Sequence, residues 1–160
     1  MAEVYILLGG NLGDKSKIFQ ATQKLIEERI GRITKRSSVY ATEPWGFESE
    51  IFWNQAIIVE TQLNPVEILK LTQSIESLMG RLKHAVQFEA RTIDIDLLFY
   101  DDLELNTPYL TIPHPKMGER KFVLVPLNEI APGKCHPTTG ISVKEMLTLC
   151  PDRLKVERID

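Results

Sequence analysis

Up to Tyr100 the spacing of apolar side chains switches between a two-residue and a 3.6-residue period in one order, and that order leaves few folds open. Val4-Tyr5-Ile6-Leu7-Leu8 is a β-rich apolar run closed by Gly9-Gly10, which suits a central strand buried on at least one face. After Asn11-Leu12-Gly13-Asp14, apolar Ile18, Ala21, Leu25 and Ile26 recur at helical spacing as far as Ile30, with Gly31 as the stop. Ile33 to Thr42, rich in Thr, Ser, Val and Tyr, reads as extended and runs into a loop at Glu43-Pro44-Trp45-Gly46. Phe52 to Leu63 is a third strand. Asn64-Pro65 then supplies an N-cap and a proline for the first helical position. Val66, Leu69, Ile75 and Leu78 share a helical face that should end at Met79, because Gly80 follows. Arg81 to Arg91 is a basic loop, and Thr92 to Tyr100 alternates as a fourth strand. The order β-α-β-β-α-β predicts an α+β, ferredoxin-like core, an antiparallel sheet with both helices on one face.

Beyond Tyr100 the prolines at 108, 113, 115, 126, 132 and 137 break a C-terminal extension into short elements, with a helical segment expected from Gly118 to Ile130. Ser142-Val143-Lys144-Glu145 has the form of a capping box, so Val143 to Leu149 should be helical until Pro151. No repeat or composition break divides the chain, and residues 1–160 are expected to form one domain. Charge narrows the function classes: 19 Lys and Arg against 22 Asp and Glu leave −3, too acidic for a general nucleic-acid coat, so any bound anion needs local cations. Cys135 and Cys150, with no secretory signal ahead of them, read as reduced thiols of a cytoplasmic protein. Val4 to Leu8 is too short to span a membrane.

The chemistry concentrates in Arg91-Thr92-Ile93-Asp94-Ile95-Asp96. On a strand Asp94 and Asp96 project from one face while Ile93, Ile95 and Leu97 occupy the other. Two like charges so placed repel, and hard oxygen ligands at this spacing suit Mg²⁺, which takes one or two carboxylates and completes its shell with water and phosphate oxygens. The alternative is the solvated face of an amphipathic strand, against which stands the rarity of Asp inside an apolar strand. Phosphates would need side-chain cations, since the glycines at 9, 10 and 13 fit neither common phosphate-binding loop. Arg81, Lys83 and Arg91 flank the Asp strand on one side, His114 and Arg120 on the other, and the arginines offer the fork that phosphate oxygens accept. Phe52 and Asn54 share strand parity, presenting a ring and an amide to one face, with Thr42, Pro44 and Trp45 before them and Phe122 beyond Arg120. A flat heterocycle would suit that set, although aromatics are commonly core residues.

Tyr40-Ala41-Thr42-Glu43-Pro44-Trp45-Gly46, Phe52-Trp53-Asn54-Gln55-Ala56, Arg91-Thr92-Ile93-Asp94-Ile95-Asp96 and Ile112-Pro113-His114-Pro115, in this order and through Arg120-Lys121-Phe122, closely resemble the 6-hydroxymethyl-7,8-dihydropterin pyrophosphokinase family of folate biosynthesis. The resemblance runs nearly end to end. It implies pyrophosphate transfer from ATP to the pterin hydroxymethyl group, with Asp94 and Asp96 holding two Mg²⁺ ions. It also implies nucleotide contacts from Glu76, Arg81, Lys83, Arg91, Ile95, His114 and Arg120, of which Arg81 and Arg91 would join the two aspartates in catalysis. Thr42, Pro44, Trp45, Phe52, Asn54, Asp94 and Phe122 match the pterin pocket, where the ring lies between the two phenylalanines and Asn54 hydrogen-bonds it. Some members carry Trp at Phe88, Gly-Pro at Glu89-Ala90 and Arg at Lys83, and a Lys there gives a point charge without the fork. A monomer is expected, with small-molecule partners and neither nucleic acid nor membrane.

Two rival functions use the same features. An RNA-recognition domain shares the element order but stacks bases on aromatic central strands, where this chain carries Asp. A two-metal nuclease or phosphatase would use the same Asp pair and hydrolyse its substrate.

Overall fold

In the computed structural model, residues 1–11, 13–42, 51–82 and 93–159 are described, without the side chains of 81 and 82. Strand β1 is Ala2–Gly10, and helix α1, Lys15–Arg29, starts where the Asp14 side chain accepts the Lys17 N–H at 3.2 Å. Strands β2 (Gly31–Arg36), β3 (Tyr40–Thr42) and β4 (Phe52–Thr61) follow, then helix α2, Pro65–Leu82. Asn64 and Glu67 cap α2 reciprocally: Asn64 Oδ1 accepts the Glu67 N–H at 2.9 Å and Glu67 Oε1 accepts the Asn64 N–H at 3.0 Å. Strand β5, Asp94–Tyr100, completes the expected β-α-β-β-α-β core.

All pairings in the sheet are antiparallel, in the order β5-β1-β4-β3 with β2 on the same edge of β4. The single second strand expected over Ile33 to Thr42 is therefore one lane cut in two. The cut is at Ser37, whose N–H donates to the Ala56 carbonyl while its Oγ accepts the Ala56 N–H, both at 2.9 Å.

Gly9, Gly10 and Gly80 behave differently from the sequence expectation, while Gly31 follows the end of α1 as expected and has a second role. Gly9 and Gly10 do not end β1 but pair inside it, with Asn54 and Trp53 of β4. Helix α1 ends at Arg29, just before Gly31, as expected. Gly31 also opens β2, where a Cβ would overlap the Glu60 carbonyl oxygen, so the glycine serves the close approach of two strands. Gly80 does not end α2, which continues to Leu82; the helix accepts the roughly 1 kcal/mol penalty because Met79, just before it, is 3% exposed in the core.

The extension holds a small hairpin of β6 (Leu105–Asn106) and β7 (Thr111–Ile112), a 3₁₀ turn at Met117–Glu119, helix α3 (Lys121–Ile130), helix α4 (Val143–Leu149) and strand β8 (Val156–Arg158). The helix expected from Gly118 thus starts at Lys121. Helix α4 begins as expected, with Ser142 Oγ accepting the Glu145 N–H at 3.2 Å. The sequence gives no sign of β8, which pairs with β3.

Two apolar layers sandwich the sheet. One joins Val4, Ile6, Leu8, Ile57 and Ile95 to Ile18 and Ile26 of α1 and Ile68 and Ile75 of α2. The other joins Leu7, Ala56, Ile58 and Phe99 to Val123, Leu124 and Leu127 of α3 and Val143 of α4. With both faces covered, β1 is apolar on consecutive residues, as its sequence shows. Among the described residues no helix is long and apolar enough to cross a membrane.

Candidate active site

The end of the sheet where β1 finishes carries one row of polar side chains. Gly9 lies directly opposite Asp94 of β5 on one side and Asn54 of β4 on the other, and Asn54 lies opposite Tyr40 of β3. Residues directly opposite share a face, so Asp94 and Asn54 look the same way across a glycine with no side chain, roughly 10 Å apart at two strand spacings. A Cβ on Gly9 would stand 2.8 Å from Asn54 Oδ1. The glycine is what lets the Asn54 amide lie over the strand.

Asp96 adjoins Asp94 on the same face, opposite Leu7, while Ile93, Ile95 and Leu97 enter the layer under α1 and α2 as strand parity predicts. Both aspartates are half-buried. Ile95 is held from outside the sheet: its N–H donates to Glu76 Oε2 of α2 at 2.8 Å. Glu76, expected to touch nucleotide, therefore already fixes the strand that presents the two aspartates. No third His, Cys, Asp or Glu joins them in a ligand cluster among the described residues. Two carboxylates on one half-buried face fit Mg²⁺, which leaves most of its shell to water and phosphate oxygens.

His114 sits beside this strand, its N–H donating to the Leu98 carbonyl at 3.0 Å. Its Nδ1 accepts the Lys116 N–H at 3.2 Å, which leaves Nε2 as the donor of the neutral ring. Burial is the largest influence on the imidazole and lowers its pKa from 6.5; the Asp96 charge opposes this, and Arg120 and Lys116 reinforce it. His114, Asp96 and Ile95 line an open cavity of about 270 Å³ together with Thr107, Tyr109 and Thr111 of the hairpin segment. That segment escaped the sequence reading, since Asn106-Thr107-Pro108 signals only a turn.

On the other side of Asn54, Phe52 is opposite Thr42. Phe52 is 38% exposed, whereas Thr42 and Asn54 are each 4% exposed. Thr42 Oγ1 is buried with no hydrogen-bond partner among the described residues, a polar atom left for something else to satisfy. Phe122, at the start of α3, packs against the apolar layer on this same face, and the Arg120 guanidinium lies 5.8 Å from its ring centroid. The fold thus gathers Asp94, Asp96, Asn54, Phe52, Thr42, His114, Arg120 and Phe122 around one end of one face. Pro44, Trp45, Lys83 and Arg91, and the side chain of Arg81, lie outside the described residues.

Comparison with known proteins bears on this arrangement. A family model described as 7,8-dihydro-6-hydroxymethylpterin-pyrophosphokinase matches residues 5–132. A Porphyromonas gingivalis protein named 2-amino-4-hydroxy-6-hydroxymethyldihydropteridine pyrophosphokinase is 40% identical over 141 residues, 86% of this chain and 95% of that protein. A Bacillus subtilis protein of the same name is 42% identical over 128 residues, 79% of this chain and 76% of that one. Among solved structures, a triple mutant of Plasmodium falciparum HPPK-DHPS aligns with a TM-score of 0.77 at 17% identity, over 92% of this chain. This chain spans 43% of the length of that one, and the likeness is one of fold.

Proposed function

The chain belongs to the 7,8-dihydro-6-hydroxymethylpterin-pyrophosphokinase family, and we propose that Asp94 and Asp96 are the magnesium ligands around which its reaction is organised. It transfers pyrophosphate from ATP to the hydroxymethyl group of 6-hydroxymethyl-7,8-dihydropterin, a step of folate biosynthesis that yields AMP and the pterin diphosphate. The pterin hydroxymethyl oxygen forms a bond to the β-phosphorus, the bond from that phosphorus to the oxygen bridging the α-phosphate breaks with its electrons leaving on AMP, and the hydroxyl proton passes to water. Such transfers need little covalent help from protein; positioning and charge neutralisation supply most of the acceleration.

The observation that carries the assignment of roles is the row Asp94, Gly9, Asn54, a carboxylate and an amide facing one way on either side of a residue with no side chain. The pterin ring rests on the Asn54 side, between Phe52 and Phe122, with its polar edge toward Asn54 and the unpartnered Thr42 hydroxyl. The hydroxymethyl arm then points past Asn54 toward Asp94. Bound at Asp94 and Asp96, two Mg²⁺ ions would supply charge neutralisation for the phosphate oxygens. His114 offers Nε2–H and Arg120 a fork to the same oxygens, and we assign further phosphate contacts to Arg81, Lys83 and Arg91. Pro44 and Trp45 complete the pterin side. Residues 1–160 act as one pyrophosphokinase domain. We assign the chain a monomeric state and the cytoplasm, which the unbonded thiols of Cys135 and Cys150 suit.

The deciding experiment is incubation with ATP, Mg²⁺ and 6-hydroxymethyl-7,8-dihydropterin, with AMP read directly and the metal then removed by chelation. AMP formed only with acceptor and metal together supports the reading. Nucleotide hydrolysis without acceptor would instead support the phosphatase alternative, and unchanged turnover after chelation would end the metal assignment.

A further inference from the structure

The last residues of the chain lie beyond the 5–132 span of the family model, yet they are fastened to the pterin side of the sheet at two points. The first is a carboxylate. Asp152 Oδ2 accepts the Lys121 backbone N–H at 3.0 Å, while Asp152 Oδ1 accepts the Leu154 N–H at 2.9 Å. Lys121 is the first residue of α3, and Arg120, its N-cap, contributes no side-chain cap, so the acceptor for this helix start is borrowed from the far end of the sequence. The amide held in this way lies between Arg120 and Phe122, the two residues of α3's entry that belong to the site. The second fastening is β8: Val156 pairs with Thr42, Arg158 with Tyr40, and the Ile159 N–H donates to the Val39 carbonyl at 3.0 Å. At the first fastening lies a cleft of about 500 Å³ whose walls are Glu119, Arg120 and Phe122 on one side and Pro151 to Leu154 on the other.

We propose that Asp152 is a positioning residue for the pterin. By fixing the Lys121 amide it sets the Arg120-Lys121-Phe122 entry to α3 against the β3 edge carrying Thr42, and so sets where the Phe122 ring stands relative to Asn54 and Phe52. The effect belongs to the pterin half of the site. Asp94, Asp96 and the Glu76 contact that fixes their strand lie on β5 and α2, which the C-terminal segment does not touch through either fastening. This inference rests on the function proposed above.

The test is steady-state kinetics on Asp152→Ala and Asp152→Asn, varying each substrate in turn. The alanine variant should raise the KM for the pterin about tenfold, with kcat and the KM for ATP within roughly twofold of wild type, since small misplacements of a binding group weigh on what it binds. Asparagine keeps an oxygen to accept the Lys121 N–H and should restore most of the pterin affinity. An unchanged pterin KM in a folded alanine variant overturns the proposal, and so do equal losses for both substrates, which would mark a general loosening. If alanine prevents folding, Asp152→Glu decides: it keeps the carboxylate but lengthens its reach, and a pterin KM equal to wild type would overturn the proposal. If the wild-type protein itself forms no AMP from ATP and pterin, the functional reading fails and this inference falls with it. A wild type that turns over normally beside an unaffected variant sinks this inference alone.

Discussion

At Gly9 a single missing methyl group decides what the sheet can display. The letter was visible in the sequence, but a glycine that ends a strand and a glycine that makes room for a neighbour are written alike, and only the pairing with Asn54 separates them. The clash that Gly9→Ala would create is with the far end of a rotatable amide rather than with backbone. The strand should therefore survive while Asn54 turns aside: a pterin KM raised about tenfold, with thermal unfolding within a few degrees of wild type. A variant that binds pterin normally would count against Asn54 as the ring's partner. The two aspartates were legible for the opposite reason, because strand parity fixes their face whatever the fold around them. Asp94→Asn and Asp96→Asn each keep the side chain's shape but remove a metal-ligating charge, so the protein should stay folded while kcat falls at least about a hundredfold. Calorimetry beside kinetics checks both halves. Loss of activity through unfolding would not support the metal role.

Helix limits were readable where the local sequence writes them: α1 stops before Gly31 and α4 runs from Val143 to Leu149 as expected, while α3 starts at Lys121 rather than Gly118 and α2 overruns Gly80. Asn64 to Glu67 and Ser142 to Glu145 write their caps in side chains, whereas α2 runs through Gly80 on the strength of a core contact that no local signal carries. Strand β8 was invisible because Val156-Glu157-Arg158 has no apolar run; it exists because β3 offers an open edge. Helix α3 is the element on which the pterin side depends, and it is anchored at both ends. At its C-terminal end Glu129 accepts hydrogen bonds from Tyr40 Oη at 2.7 Å, the Ser38 N–H at 3.0 Å and Ser38 Oγ at 3.3 Å. Burial pushes its carboxyl up, but these hydrogen bonds and the Arg158 charge outweigh that and hold it below the ordinary 4.5. A folded-state pKa below the unfolded one means the contribution is complete above that ordinary value and disappears as pH falls through the folded value. Glu129→Gln should accordingly unfold at a lower temperature than wild type near neutrality, and the gap should close on acidification below 4.5. A gap constant across that range would show that the charge on Glu129 contributes nothing.

The whole molecule is an α+β core that uses its second sheet face as well as its first. The core order is legible in the chain because alternation is local, but which elements cover the other face depends on contacts far apart in the chain, and the proline-broken extension has little period to read. One side chain ties that extension down at the end of the sheet remote from the site. Lys134, in the loop after α3, donates to the Asp101 carbonyl and to Asp102 Oδ1, each at 2.8 Å, and its ammonium lies 5.4 Å from the Tyr5 ring centroid and 5.3 Å from that of Phe99. Burial, followed by the charge and hydrogen bond of Glu3 and the charges of Asp101 and Asp102, pushes the Tyr5 phenol up to about 12, so the ring stays neutral beneath the cation. The Lys134 side chain is only 13% exposed, though Asp102 is 85% exposed, which discounts the ion pair and leaves the rings and the carbonyl as the main partners. Lys134→Met keeps the stem and removes the charge, and should cost about 2 kcal/mol, or roughly 4–8 °C in a domain of this size. Tyr5 precedes Gly9 by about 13 Å of strand, so neither KM should move. Measured beside Asp152→Ala, this variant separates two kinds of fastening: one whose loss is read in the melting curve, and one whose loss is read in the affinity for pterin. A pterin KM that rose in Lys134→Met as well would mean that α3 and the extension shift as one body, and Asp152 would then lose its claim to act locally.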